Sequence, residues 1–193
     1  MEWFDSGWGL SLIVFLPLVG VVILAAIPRS AEAGVKWVAL VTAFGTFALA
    51  ILLAVRFDYG ATAQMQFGTD LPWIEAINAR YHIGVDGISL PLVVLSTFIT
   101  TLVVIYSWNH WPEPHNPKLL MILTMILATG MTGTFVALDL VLFFVFFEVV
   151  LLPMYFMIGI WGDTTILKVP VVHWEIEMWH RGDLARRCIW PGK

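Results

Sequence analysis

Five apolar stretches dominate the sequence, and each is close to the roughly 20 residues that an α-helix needs to cross the hydrocarbon core of a bilayer. Helices are the natural interpretation, because an open strand would leave its backbone N–H and C=O groups unpaired in lipid. The sequence therefore predicts an all-α integral membrane protein with about five transmembrane helices and one longer polar loop. The predicted helices run from Trp8 to Ile27, Val35 to Val55, Ile88 to Trp108, Leu119 to Leu138 and Leu140 to Trp161.

Composition supports a membrane environment and excludes several classes of function. Hydrophobic residues make up 60% of the 193 residues and charged residues only 12%, against about 25% charged in soluble domains. No basic run or stripe of aromatic and basic residues suggests a nucleic-acid partner. Cys188 is the single cysteine, which excludes an internal disulfide and a cysteine-based metal cluster. The five histidines lie outside the apolar stretches without metal-ligand spacing.

The connection between the second and third helices is longer and more polar than the others. Glycine and proline turn signals recur between Arg56 and Gly87. Two amphipathic pieces within it, from Leu71 to Ile74 and from Tyr81 to Ile83, carry aromatic side chains suited to the membrane interface. We expect a short hairpin or a surface helix on one face of the membrane.

The positions of lysines and arginines favour an N-terminus outside the membrane. The first five residues carry two acids where a secretory signal has lysine or arginine, so we expect the first helix to be retained. With the basic tail set aside, the inside loops would hold Arg29, Lys36 and Lys118, and the outside loops Arg56 and Arg80.

A single acidic residue, Glu148, lies near the middle of the fifth apolar stretch. An ionised acid there costs roughly 2.5 to 3.5 kcal/mol, which several leucines or phenylalanines at roughly 0.3 to 0.6 kcal/mol each can offset. A carboxyl group removed from water tends to hold its proton, whereas a nearby cation favours the charged form. We therefore predict that Glu148 is a proton-relay carboxylate. The alternative is a protonated group that hydrogen-bonds between packed helices.

Neighbouring residues support a relay to different degrees. Pro153 interrupts the backbone ladder five residues after Glu148 and can leave a carbonyl open to water or a polar partner. Tyr155 lies on nearly the same helix face, although a tyrosine there is more often interfacial or part of the core. Asp139 lies on the opposite face, about 13 Å away along the axis, and is interpreted as a turn or interface residue.

Small and hydroxyl-bearing residues cluster in the third and fourth helices. Such residues permit either close helix packing or a hydrated seam, and we favour packing. They are Ser96, Thr97, Thr100 and Thr101 in the third helix, and Thr124, Thr129, Gly130, Thr132, Gly133 and Thr134 in the fourth.

Two motifs resemble those of a known family. The first, GVDGISLP, runs from Gly84 to Pro91, and the second runs from Phe147 to Gly162 and contains FE, LPMY and IGIWG. Together they resemble chain M of bacterial NADH-quinone oxidoreductase, the respiratory complex I subunit related to subunit 4 of the mitochondrial enzyme. The resemblance covers roughly Leu10 to Gly162. It extends more weakly to large subunits of multisubunit sodium/proton antiporters and membrane-bound hydrogenases.

The resemblance implies an antiporter-like subunit, normally of fourteen helices, that takes part in proton translocation coupled to electron transfer elsewhere in complex I. It also implies a bacterial inner-membrane location and other complex I membrane subunits as partners. Other subunits would handle NADH and quinone, with no cofactor in this chain. Glu148 matches the family's fifth-helix glutamate, which pairs with a lysine on a later helix. Asp86 matches the motif aspartate, which we expect to cap the third helix.

The alternatives are a sodium/proton antiporter-type subunit and a non-pumping structural membrane fragment. Residues 1–162 are interpreted as the N-terminal part of the antiporter-like domain, and residues 163–193 as an atypical polar tail. Because that tail has no apolar stretch of membrane-spanning length, we expect a truncated or frameshifted product, with a divergent tail as the alternative. Lys36 is expected at a helix end and Lys118 in a loop. Glu148 would then lack a cationic partner within the chain.

Overall fold

The computed structural model describes residues 7–28, 31–62, 64–108, 110 and 115–162, and it confirms five helices long and apolar enough to cross a membrane. The predicted 163–193 tail lies outside the described residues. Predicted and observed helix boundaries agree to within a few residues, and the two sets coincide for the fifth helix. The helices are α1 (Gly9–Ala26), α2 (Glu32–Arg56), α3 (Ser89–Tyr106), α4 (Pro117–Val136) and α5 (Leu140–Trp161).

The polar connection between α2 and α3 forms a β-hairpin, so the first of the two expected forms is the one observed. Strand β1 (Gln66–Ile74) pairs antiparallel with β2 (Ala79–Val85), with Thr69 opposite Ile83 and Leu71 opposite Tyr81. Asn78 turns the chain between the strands with a φ of 52°, a left-handed conformation that asparagine adopts more readily than most residues.

The hairpin closes one end of the helical bundle. Its Ile83 and Val85 are fully buried in an apolar cluster with Leu10, Val93 and Phe146. The cluster thus joins the start of α1, the start of α3 and the start of α5 beneath the hairpin. A second apolar cluster, which includes Leu24, Val35, Val104 and Met121, lies at the other end of the first four helices.

A close approach between α1 and α2 depends on Gly20. A Cβ atom built on this glycine would lie 2.6 Å from Thr42 Cγ2, which is closer than real contacts allow. Small residues of this kind let membrane helices pack backbone to backbone, where dispersion contacts replace the missing hydrophobic drive. The close packing of α1 on α2 therefore depends on the absence of a side chain at Gly20.

Burial is distributed unevenly between the last two helices. In the most apolar 18-residue window of each helix, 61% of residues are buried in α4 but only 17% in α5. The α5 residues buried in the bundle are Leu142, Phe146 and Pro153. Most of α5 therefore presents apolar side chains to its surroundings, and only one face is used for packing within the described chain.

Candidate functional site

Glu148 lies on the face of α5 that points away from α4. The contact between the helices is made by Phe146 and Val150, whose atoms approach the backbone of Gly133 and Gly130. Each of these two contact residues is two positions from Glu148, a turn of about 200° at 100° per residue. Glu148 is accordingly exposed, and it shares this face with exposed apolar residues such as Leu152.

Two glycines of α4 permit this tight helix pair. A Cβ on Gly133 would lie 2.2 Å from Phe146 Cδ1, and one on Gly130 would lie 2.9 Å from Val150 N. The packing role that the sequence favoured for these residues is the observed one. The same packing sets the rotation of α5 and hence the direction in which Glu148 points.

No hydrogen bond or ion pair joins Glu148 to another residue within the part of the chain that the structure describes. Lys118 was expected in a loop, but it lies in the first turn of α4. Its Nζ donates to the carbonyls of Ala25 at 2.9 Å and Ile27 at 2.6 Å, and so caps the end of α1. Lys118 is twelve residues before Gly130, or about 18 Å along the axis, so it cannot serve Glu148.

The second lysine of the described helices is also engaged elsewhere. Lys36 Nζ lies 5.9 Å from the ring centroid of Trp108, where the ring face attracts a cation. It is near the start of α2, at the end of the bundle opposite the hairpin. Neither lysine of the described helices is therefore placed to pair with Glu148.

Pro153 lies inside α5, as the sequence predicts, and its side chain is buried. Because proline has no N–H, the carbonyl of Val149, which directly follows Glu148, lacks its usual helical donor. Tyr155 is 74% exposed on nearly the same face as Glu148. The exposed face therefore carries one acid and one phenol, and the carbonyl without its helical donor lies about 100° around the helix, beside the buried Pro153.

Asp139 is a turn residue, as predicted, and it caps α5. Its Oδ1 accepts hydrogen bonds from the N–H groups of Val141 at 2.9 Å and Leu142 at 3.1 Å. These bonds, chiefly the one from Leu142, hold the pKa of the carboxyl below its usual range. The start of the Glu148 helix is thereby fixed.

The hairpin is bound directly to the short connection between α4 and α5. Ile83 and Ala137 form an antiparallel bridge, and Leu138 N donates to His82 O at 2.9 Å. The sequence does not predict this link, since residues 135–138 are all apolar and carry no local signal of an extended piece. The hairpin and the base of α5 form one connected unit.

Asp86 has the capping role expected of it. Its Oδ1 accepts from the N–H groups of Ser89 at 2.7 Å and Ile88 at 3.1 Å, while Ser89 Oγ accepts from Asp86 N. The hydrogen bond from the Ser89 N–H is the main reason that the pKa of Asp86 lies below its usual range. Asp86 is thus a structural residue at the start of α3.

The hydroxyl groups of α3 bond chiefly to their own helix. Ser96, Thr97 and Thr100 donate to carbonyls three or four residues earlier. Thr101 also donates to Ala43 O of α2 at 3.2 Å, so it ties two helices together. These contacts agree with the packing role that the sequence favoured.

Comparison with known proteins assigns the chain to a family. Residues 12–134 match the family described as NADH-ubiquinone oxidoreductase chain 4, amino terminus. The chain belongs to this family. The match extends from α1 to near the end of α4 and supports the fold and the family. It ends before Glu148 and does not cover the residues around that side chain.

Individual relatives agree with this family. NADH-quinone oxidoreductase subunit M of Rhodobacter capsulatus is 43% identical over 157 residues, covering 79% of this chain and 30% of the relative. NADH-ubiquinone oxidoreductase chain 4 of Arabidopsis thaliana is 36% identical, covering 81% and 31%. An NAD(P)H-quinone oxidoreductase chain 4 of Picosynechococcus is 33% identical, covering 84% and 30%. The chain spans about a third of the length of these relatives and is a multi-pass membrane protein.

Proposed function

We propose that this chain forms the N-terminal part of a membrane-arm subunit of NADH:quinone oxidoreductase that takes part in proton translocation coupled to electron transfer. The observation that carries the proposal is the position of Glu148, an acid on the exposed face of a membrane-spanning helix. Membership of the chain 4 family supplies the context. Other membrane subunits of complex I would be its partners, and NADH and quinone would be handled elsewhere.

Glu148 can act as a relay because a carboxyl group can both bind and release a proton. In a medium of low dielectric constant, an approaching cation stabilises the carboxylate, and its departure favours the protonated acid. The exposed side of α5 leaves room for further helices that could bring such a cation. The carbonyl of Val149, left without its helical donor by Pro153, offers an acceptor for a water one residue along the helix from the acid and about 100° around it.

The anchoring of α5 makes it a suitable support for such a group. Asp139 caps its first turn, the hairpin holds its base and the α4 glycines fix its rotation. A relay carboxylate has to keep its direction while the charges near it change. We propose that these contacts keep the direction of Glu148 constant. The membrane in which the subunit would act is a bacterial inner membrane.

The proposal is tested by Glu148→Gln in the complete subunit, assembled in the respiratory complex of a bacterial host. Glutamine keeps the size and hydrogen-bonding capacity of the side chain but cannot release a proton. Proton uptake driven by NADH oxidation is measured in membrane vesicles, with assembly checked on native gels. We expect a large loss of pumping in a complex that still assembles.

Glu75→Gln is the matched control, because Glu75 lies in the turn of the hairpin, outside the membrane-spanning helices. It should pump like the wild type. Unchanged pumping in Glu148→Gln would refute the relay role and favour a structural membrane subunit. Transport that depends on sodium would favour the antiporter-type alternative.

A further inference from the structure

Four threonines surround a small cavity midway along the bundle formed by the first four helices. Apolar groups close its other sides, among them Pro17 and two members of the second apolar cluster, Ala43 and Met125. The polar lining residues are Thr46 of α2, Thr97 and Thr100 of α3, and Thr132 of α4. All four threonines are at most 6% exposed.

The geometry points to one water molecule bound in this cavity as a structural ligand shared by three helices. The space open to the centre of a water molecule is about 10 Å³. This is close to the ~10–15 Å³ that a single buried water needs. Four of the eight residues that line the cavity are threonines, which can offer the two or more polar partners that a buried water needs.

The hydrogen bonds of the threonines leave acceptors, rather than donors, for the ligand. Thr46 donates to Thr42 O at 2.9 Å, Thr100 donates to Ser96 O at 2.9 Å, and Thr132 donates to Ala128 O. Each hydroxyl oxygen keeps lone-pair capacity after its proton has been donated. A water molecule, with two protons to donate, complements such a set, whereas a cation would require more oxygen ligands and a larger cavity.

Two neighbouring features add polar groups without a helical partner. Pro17 lines the cavity and, lacking an N–H, leaves the carbonyl of Ile13 without its helical donor. Thr129, on the same stretch of α4, has a fully buried Oγ1 that lacks a hydrogen-bond partner among the described residues. Buried polar groups of this kind are commonly satisfied by internal water.

A pair of threonines on α4 provides a matched test. Thr132 faces the cavity and Thr134 does not, yet both donate to the carbonyl four residues earlier. Thr132→Val and Thr134→Val therefore each remove one hydrogen bond to a carbonyl of α4. Only Thr132→Val also removes an acceptor for the water. Thermal unfolding of the full chain in detergent should show a midpoint about 2–4 °C lower for Thr132→Val than for Thr134→Val.

Thr132→Ser, which keeps the hydroxyl, should restore most of the difference. A dry cavity predicts a midpoint for Thr132→Val equal to or above that of Thr134→Val, because valine would then replace a buried polar group with a methyl group at no cost. If Thr132→Val does not fold, a density map of the wild-type protein at a resolution that shows ordered solvent decides. A peak within hydrogen-bonding distance of two threonine hydroxyls supports the proposal, and an empty cavity overturns it.

Discussion

Asp139 Oδ2 accepts a hydrogen bond from the backbone N–H of Arg80 at 3.3 Å, between residues 59 positions apart in the chain. Its other oxygen, Oδ1, caps the first turn of α5. One carboxylate thus joins the hairpin to the helix that carries Glu148. Arg80 extends the connection, because its Nε lies 2.6 Å from Asp70 Oδ1 on the neighbouring strand.

Asp139→Ala should loosen the base of α5. The amides of Val141 and Leu142 lose their side-chain acceptor, and the first turn of α5 loses its cap. Amide hydrogen exchange should become faster at these two residues and at Arg80. Asp70→Ala serves as a control, since it removes only an exposed ion pair and should leave the two α5 amides protected. Unchanged exchange in Asp139→Ala would count against the anchoring role.

The two capping aspartates should make the stability of the protein depend on pH in the acidic range. The pKa values of Asp86 and Asp139 are lower in the folded protein than in the unfolded chain, where an aspartate titrates near about 3.9. Their stabilising contribution is therefore complete above that value and is lost as the pH falls through the folded pKa. The thermal midpoint of wild type minus that of Asp139→Asn should be constant near neutral pH and shrink below about pH 4. A difference that grows in acid would contradict this assignment.

Gly133→Ala should separate α4 from α5. The added Cβ would lie 2.2 Å from a ring carbon of Phe146, and overpacking of this kind costs typically about 1–3 kcal/mol. Gly159→Ala is the control, because no atom of the described residues lies within 4 Å of the corresponding Cβ on α5. The control should be neutral or slightly stabilising, since alanine is the better helix former. Thermal unfolding in detergent compares the two variants. Equal unfolding midpoints would show that the α4–α5 contact is loose.

Lys118→Met should weaken the contact between α1 and α4. Methionine retains the apolar stem but removes the ammonium group that donates to Ala25 O and Ile27 O, at a cost of about 1–2 kcal/mol. Lys118→Arg keeps the charge and the donors and should remain close to wild type. Chemical denaturation in mixed micelles compares the variants. Similar denaturation midpoints for both would mean that water replaces the lysine.

The helices could be predicted from sequence because their signals are local. Apolar length and the turn residue Asp139 predict α5 at its observed boundaries. The cap at Asp86 was likewise readable from its motif. The form of the 56–87 connection stayed open because β2 finds a partner in Ala137 and Leu138, and such pairing depends on how α3 and α4 return the chain.

The direction of Glu148 also required three-dimensional information. A helix that is apolar on every side does not reveal which face contacts its neighbour. That choice follows from Gly130 and Gly133, whose fit against Phe146 and Val150 is a property of two helices together. The helical position of Lys118, in contrast, follows from local signals, since Asn116 caps α4 and Pro117 takes its first position. Only the partners of its ammonium group, the carbonyls of Ala25 and Ile27, depend on the tertiary fold.

The bridge between Ile83 and Ala137 also has a consequence for biosynthesis. The ribosome completes the hairpin well before residue 137 is made. During synthesis the outer edge of β2 is therefore not yet paired with Ala137. The partner reaches the same side of the bilayer only after α3 and α4 have crossed in opposite directions. Closure of the bridge therefore reports correct insertion of both helices, and a nascent chain with either helix misplaced would keep an open strand edge for quality-control factors to detect.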